Sequence, residues 1–175
     1  MKISKIHCLG DYYNDKYLRD ICHEIKDGEF NFAYVIADFM AYKFADNFSC
    51  NNYFVPIPST SKFNKVLCRQ IGEMCHARWC SYNLAFINNP QSLYDLKKNG
   101  EKINQDDYNM VWTGFARSQK IVLVDNVIST GFTMYKALEA LNFDVNALYD
   151  ECEALCIAVD WNTFKKSKYY EQIYK

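Results

Sequence analysis

One short segment constrains the fold more than any other. Ile121-Val122-Leu123-Val124 is apolar throughout, Asp125-Asn126 follows at once, and Ser129-Thr130-Gly131-Phe132-Thr133 comes after two more apolar residues. An unbroken apolar run suits a strand buried on both faces of a parallel sheet. In such sheets ligands sit outside the carboxyl ends of the strands. The expected order is a buried strand, an acid, a turn bearing hydroxyls and glycine, and then a helix N-terminus. That terminus has free backbone N–H groups and the positive end of the helix dipole, so it suits a phosphate. Gly131 lets the main chain come close, and Ser129, Thr130 and Thr133 add hydroxyl donors. Asp125 and Asn126 are placed to accept hydrogen bonds from the vicinal hydroxyls of a ribose. Such a pair, followed a few residues on by a phosphate cradle, is the footprint of a ribose 5-phosphate. The alternative is local: Asp125 caps the turn, and Thr130 or Thr133 is only a helix N-cap.

The rest of the chain alternates between helical and strand patterns. Leu18, Ile21, Cys22 and Ile25 predict an amphipathic helix over 15–26, and Ala33, Ile36, Ala37, Met40, Phe44 and Phe48 predict a second over 31–48. Residues 53–58 predict a short strand running into a Pro/Ser/Thr turn. Phe63, Val66, Leu67, Ile71, Met74 and Cys75 then mark a helix that also carries Lys62, Lys65 and Arg69. Residues 84–87 are a further strand candidate, 88–112 a long polar stretch, and Met134, Ala137, Leu138 and Leu141 a helix stripe. A buried strand over 155–159 and a basic helix over 162–175 close the chain. Strands alternating with helices imply an α/β fold, a parallel Rossmann-like sheet with flanking helices. The length of 175 residues, with no repeat or linker, predicts a single domain. Its expected parts are an N-terminal helical segment (1–52), a core (53–160) and a C-terminal helix (161–175).

Composition removes several function classes. With 20 Lys and Arg against 21 Asp and Glu, the formal charge is −1, which argues against a dedicated nucleic-acid binder. No run approaches the length of a membrane span. The start, Met1-Lys2-Ile3-Ser4-Lys5-Ile6-His7, lacks the apolar stretch of a signal peptide, so the expected location is the cytoplasm. The eight cysteines include no CxxC pair and read mainly as small buried hydrophobes. Cys75, His76 and Cys80 form an incomplete zinc-ligand set. His7, His23 and His76 read as structural.

Residues 122–133 resemble the phosphoribosyl diphosphate (PRPP) motif of the type I phosphoribosyltransferases. That motif is four apolar residues, two acids, two apolar residues and a Ser/Thr–Thr–Gly–x–Thr loop. Asn126 stands where the family has its second acid. Two further segments are similar to the ComF-like branch, which groups competence proteins with an amidophosphoribosyltransferase type. They are Val55-Pro56-Ile57-Pro58 before a basic helix, and Asn89-Pro90-Gln91-Ser92-Leu93 leading through Asn104 to Thr113-Gly114-Phe115. The branch's Arg-Gly-Phe-Asn run is absent. The resemblance covers residues 53–141.

This resemblance implies a single-domain fold with a small variable hood. The implied activity, within nucleotide metabolism, is transfer of ribose 5-phosphate from PRPP to a nitrogen nucleophile, a nucleobase or amine, or the reverse. It implies Asp125 and Asn126 as the catalytic pair at the ribose, and Ser129, Thr130, Gly131, Phe132 and Thr133 as the 5-phosphate loop. Ser59, Thr60, Lys62, Lys65 and Arg69 would meet pyrophosphate. The polar stretch would be a mobile loop in which Lys97, Lys98 and Lys102, with Arg117 after it, neutralise the leaving group. Mg²⁺ would enter through PRPP, with no direct protein ligand. Ser129 stands where 6-oxopurine salvage members carry an Asp, which argues against hypoxanthine–guanine salvage. Phe132 and Trp112 are the aromatic residues bordering the expected site, and a homodimer is compatible with the family. The neutral Asn126 would stabilise a ribosyl cation less than an acid does. The alternative reading is therefore a catalytically weak PRPP- or nucleoside 5′-monophosphate-binding protein, regulatory or competence-associated.

Overall fold

Residues 2–27, 30–59, 61–114, 116–144 and 147–174 are described by a computed structural model. Strand β1 (Ile3–Asp11) leads into helices α1 (Lys16–Asp27) and α2 (Phe30–Phe44), followed by β2 (Asn52–Pro56), α3 (Phe63–Met74) and the two-residue β3 (Arg78–Trp79). Next, β4 (Leu84–Phe86) and β5 (Met110–Trp112) flank an excursion containing α4 (Leu93–Lys98) and a 3₁₀ turn (Gln105–Tyr108). The chain ends with β6 (Ala116–Val124), β7 (Val127–Ile128), α5 (Phe132–Phe143), β8 (Ala147–Val159), α6 (Trp161–Lys166) and α7 (Tyr170–Ile173).

The main sheet runs β3-β2-β6-β8-β1, with β7 beside β8, and every pairing in it is parallel. Successive strand side chains point to opposite faces, and here both faces are covered. Val122 and Val124 of β6 join Phe54, Leu155 and Ile157 in a core layer under α1, α2 and α3. Ile121 and Leu123 join Val55, Ala154 and Cys156 beneath α5, α6 and α7. This is why residues 121–124 contain no polar residue: neither face of the strand meets water.

Topology makes a crevice at one place. From β2 the chain passes through α3 to β3 on one side, and from β6 through α5 to β8 on the other. The two connecting helices lie on opposite faces, so the carboxyl ends of β2 and β6 part there as a topological switch point. Just past the strand ends, Ile57 N–H donates to Val124 O at 2.9 Å and Asp125 N–H to Leu155 O at 3.0 Å.

Several elements differ from the sequence reading. Residues 3–11 form an edge strand, although no strand is expected before residue 53. The strand over 84–87 exists, but it pairs antiparallel with β5 outside the main sheet. The second helix stops at Phe44; Phe48 keeps its apolar role in a non-helical turn, its ring 4.9 Å from His7 and 5.1 Å from Phe54. The expected C-terminal helix is two short ones, broken at 167–169. Among the described residues no helix is long and apolar enough to cross a membrane.

Candidate functional site

A cavity of about 350 Å³ opens at the switch point. Its floor is the run from Asp125 to Met134, and its rim includes Pro58 and Ser59 after β2, Tyr12, Lys26 and Asp27 from the N-terminal segment, and Pro90 to Leu93 of the excursion. Of the residues expected from the sequence, Asp125, Asn126, Ser129, Thr130, Gly131, Phe132, Thr133, Ser59 and Lys97 line it together.

Asp125 is buried at the end of β6. Its Oδ1 accepts from the N–H of Asn126 at 2.8 Å and from Nδ2 of Asn64 at 3.2 Å. Both bonds fall on one oxygen, which leaves Oδ2 for a ligand. Burial pushes this carboxyl up to about 6, opposed by those two donors and by the charge of Lys26. Asn126 is also buried; its Oδ1 accepts from Val127 N–H at 2.8 Å, and Nδ2 has no hydrogen-bond partner among the described residues. The amide oxygen is thus used by the backbone, and the group left over is a donor, where the sequence reading expects an acceptor.

The phosphate loop is held from below. Gly131 sits at φ +79°, and a Cβ there would lie 2.5 Å from Cε2 of Phe164 and 2.9 Å from Cδ1 of Ile173. Glycine is required twice, by the left-handed backbone and by contact with α6 and α7. Ser167, in the break between those helices, donates from Oγ to Thr130 O at 2.5 Å and accepts from Tyr169 N–H at 3.0 Å. Gly131, the N-cap of α5, has no side chain to cap the helix, and Thr130 Oγ1 accepts from the first N–H, that of Phe132, at a long 3.4 Å; the remaining N–H groups of the first turn suit an anion.

The excursion between β4 and β5 covers the mouth. Tyr108 packs on Phe132 with ring centres 5.6 Å apart, and Phe132 on Tyr169 at 5.4 Å. The Tyr108 hydroxyl donates to Gln91 O at 2.8 Å, and Lys136 of α5 to Asn109 Oδ1 at 2.7 Å.

Other expected residues lie elsewhere. Lys62, at the N-cap of α3, and Lys65 and Arg69 on it do not line the cavity; Lys65 lies over the Tyr82 ring at 4.1 Å, and Arg69 pairs with Glu73 at 3.9 Å. Lys98 and Lys102 are exposed outside it. Arg117 is near the start of β6, roughly 25 Å along the strand from Asp125. Trp112 is buried against Tyr53, off the cavity. Thr60 and Phe115 lie outside the described residues. Cys75 and Cys80 pack in the two opposite core layers.

The sequence reading missed Asn64, whose Nδ2 also donates to Ile57 O at 2.9 Å, and the rim residues Tyr12, Lys26, Asp27 and Asp95. Asn64 carried one signal: a polar residue in the first turn of the helix that comes after the Pro/Ser/Thr turn at the end of β2.

Mg²⁺ takes oxygen ligands. At the ribose end this pair of residues fits it poorly: Asp125 offers one free oxygen, and the unpartnered atom of Asn126 is a buried NH₂ nitrogen, which offers none. Among the described residues no cluster of three or more His, Cys, Asp or Glu side chains could hold a metal. Comparison with known protein families finds no match for this sequence, and comparison with curated proteins finds none.

Proposed function

We propose that the cavity binds a ribose 5-phosphate group and that the protein is a phosphoribosyltransferase acting from PRPP on a nitrogen nucleophile. One observation carries the reading. A buried carboxylate with a free oxygen, a glycine turn at φ +79° and a helix N-terminus whose one side-chain contact among the described residues is the long bond from Phe132 N–H to Thr130 Oγ1 line a single cavity at the switch point. The 5-phosphate sits on Ser129, Thr130, Gly131 and Thr133, and the ribose hydroxyls on Asp125.

In the reaction the bond from ribose C1 to the pyrophosphate oxygen breaks, and its electron pair leaves with pyrophosphate. The nitrogen lone pair forms the new bond at C1, and that nitrogen loses its proton to solvent. The carboxylate of Asp125 lies close to the positive charge that develops on the ribosyl ring, and in a buried site such a charge is strongly stabilising. Lys97 faces the departing pyrophosphate, and the cover formed by residues 87–109 keeps water from the ribosyl centre.

A second reading is favoured by Asn126. Its unpartnered NH₂ group adds no negative charge, and Lys62, Lys65 and Arg69 lie off the cavity. Both features suit a protein that binds a nucleoside 5′-monophosphate and turns over slowly or not at all.

Calorimetric titration of PRPP, ribose 5-phosphate and AMP, with pyrophosphate release measured against a panel of bases and amines, separates the two. PRPP binding with release on addition of one acceptor supports the transferase. Monophosphate binding without release supports the second reading, and no binding of any of the three ends both.

A further inference from the structure

The side chain of Asn126 can face only one way. The N–H of Val127 needs an acceptor and has Oδ1 of Asn126 at 2.8 Å, so the amide nitrogen must point to the other side. There Nδ2 is buried with no partner among the described residues, on a residue 6% exposed that lines the cavity. Native proteins rarely leave a buried donor unpaired, and where they do the site commonly awaits a ligand or a water. The adjacent Asp125 is the complement: its two hydrogen bonds both fall on Oδ1, and Oδ2 is left as an acceptor.

We infer that this site holds a ribose diol between partners of opposite polarity and without a metal ion. Asp125 Oδ2 accepts from one hydroxyl, and Asn126 Nδ2 donates to the oxygen of its neighbour. The inference rests on the reading of the cavity as a ribose 5-phosphate site, and it specifies how that ligand is recognised. A hydroxyl is at once donor and acceptor, so a vicinal diol satisfies both residues. A divalent cation does not, because the partial positive charge of the NH₂ group opposes it. Two adjacent acids would behave oppositely, offering oxygen to a cation and no proton to a hydroxyl oxygen. The ligand class is therefore ribonucleotide rather than deoxyribonucleotide. A site built to hydrogen-bond a hydroxyl rejects an analogue that lacks it, because its own buried groups are left unpaired.

The test is calorimetric titration of AMP, 2′-deoxy-AMP, 3′-deoxy-AMP and ribose 5-phosphate, each in EDTA and in excess Mg²⁺. The wild-type chain is expected to bind AMP and ribose 5-phosphate equally in the two buffers. Both deoxy analogues are expected to bind at least about tenfold more weakly. Asn126→Asp should bind weakly in EDTA and regain affinity with Mg²⁺. Asn126→Ser keeps an acceptor for Val127 N–H but removes the NH₂ donor; it should lose discrimination against one of the deoxy analogues and guards against misfolding of the Asp variant. Wild-type binding that collapses in EDTA, or equal affinity for AMP and both deoxy analogues, overturns the diol clamp while leaving the ribose 5-phosphate site standing. Absence of binding by AMP and ribose 5-phosphate in both buffers removes that site and the clamp with it.

Discussion

A buried hydrogen bond joins Asn64 to Asp125 across the mouth of the crevice, from Nδ2 to Oδ1 at 3.2 Å. The same Nδ2 donates to Ile57 O at 2.9 Å. One amide, from the first turn of α3, therefore pins the ends of β2 and β6 and holds one oxygen of a carboxylate that lines the cavity, leaving the other oxygen for a ligand.

Asn64→Ala should unpin both strand ends. The loss is expected to be about 2 kcal/mol at neutral pH, the usual cost of leaving buried groups unpaired. Because Asn64 holds the Asp125 carboxyl down, its removal raises that carboxyl further above its unfolded value. The folded state then holds a proton to higher pH, so the deficit should be larger at pH 7.5 than at pH 4. Urea denaturation of both proteins at the two pH values checks this; equal losses would show that the bond to the carboxylate contributes nothing.

Asp125→Asn should stabilise the unliganded protein. Burial raises this carboxyl from 3.8 to about 6, so the folded state binds the proton more tightly than the unfolded chain. Stability from this group is therefore greatest below about pH 4, falls as pH rises to about 6, and is level above that. At pH 7.5 the ionised carboxylate costs about 3 kcal/mol, and Asn removes that cost while its own Oδ1 keeps both hydrogen bonds. Thermal melting should show a higher Tm for the variant at pH 7.5 and no gain at pH 4. Ribose 5-phosphate affinity should fall, since the variant has no anionic acceptor. A Tm unchanged at pH 7.5 would mean that the carboxylate is solvated.

What could be read from the sequence follows from how much of each element is buried. β6, β2, α3 and α5 were legible because each is wrapped in core, so its apolar pattern is unbroken. β1 was not, because it is an edge strand in which Ser4, Lys5 and His7 interrupt the pattern. Its pairing with β8 also joins residues about 150 positions apart, Ile3 with Cys152 for example. The Asp125-to-Thr133 floor was legible because one local strand–turn–helix unit builds it. The rim was not: Lys26 and Asp27 reach the cavity only through the packing of α1. Lys65 and Arg69 mark the polar face of α3, with Lys62 at its N-cap, but a sequence does not say which way that face turns. The polarity reversal at Asn126 depends on a single backbone N–H, that of Val127, which composition cannot reveal.

Ser167→Ala tests whether the C-terminal segment holds the phosphate loop. Ser167 touches no ligand in this reading; it secures Thr130 O from below. Its loss should cost about 1 kcal/mol of stability and weaken ribose 5-phosphate severalfold through a looser loop. Amide hydrogen exchange over 129–133 should accelerate in the variant. Unchanged exchange with unchanged affinity would leave the loop self-supporting.

Gly131 and Phe164 supply the last test, since the loop's backbone is shaped by the ring beneath it. Gly131→Ala forces a Cβ into the left-handed region at φ +79° and to 2.5 Å from Cε2 of Phe164. The backbone term costs about 1–2 kcal/mol and the overpacking a further 1–3 kcal/mol, approximately, so a loss of about 3 kcal/mol is expected. Phe164→Leu alone should also destabilise, by opening space under the loop. In the double variant the smaller side chain makes room for the new methyl group, so the two losses should sum to less than their separate values. The coupling isolates the steric share from the backbone share. A double-mutant cycle by chemical denaturation measures it, and strict additivity would mean that the left-handed backbone alone requires the glycine.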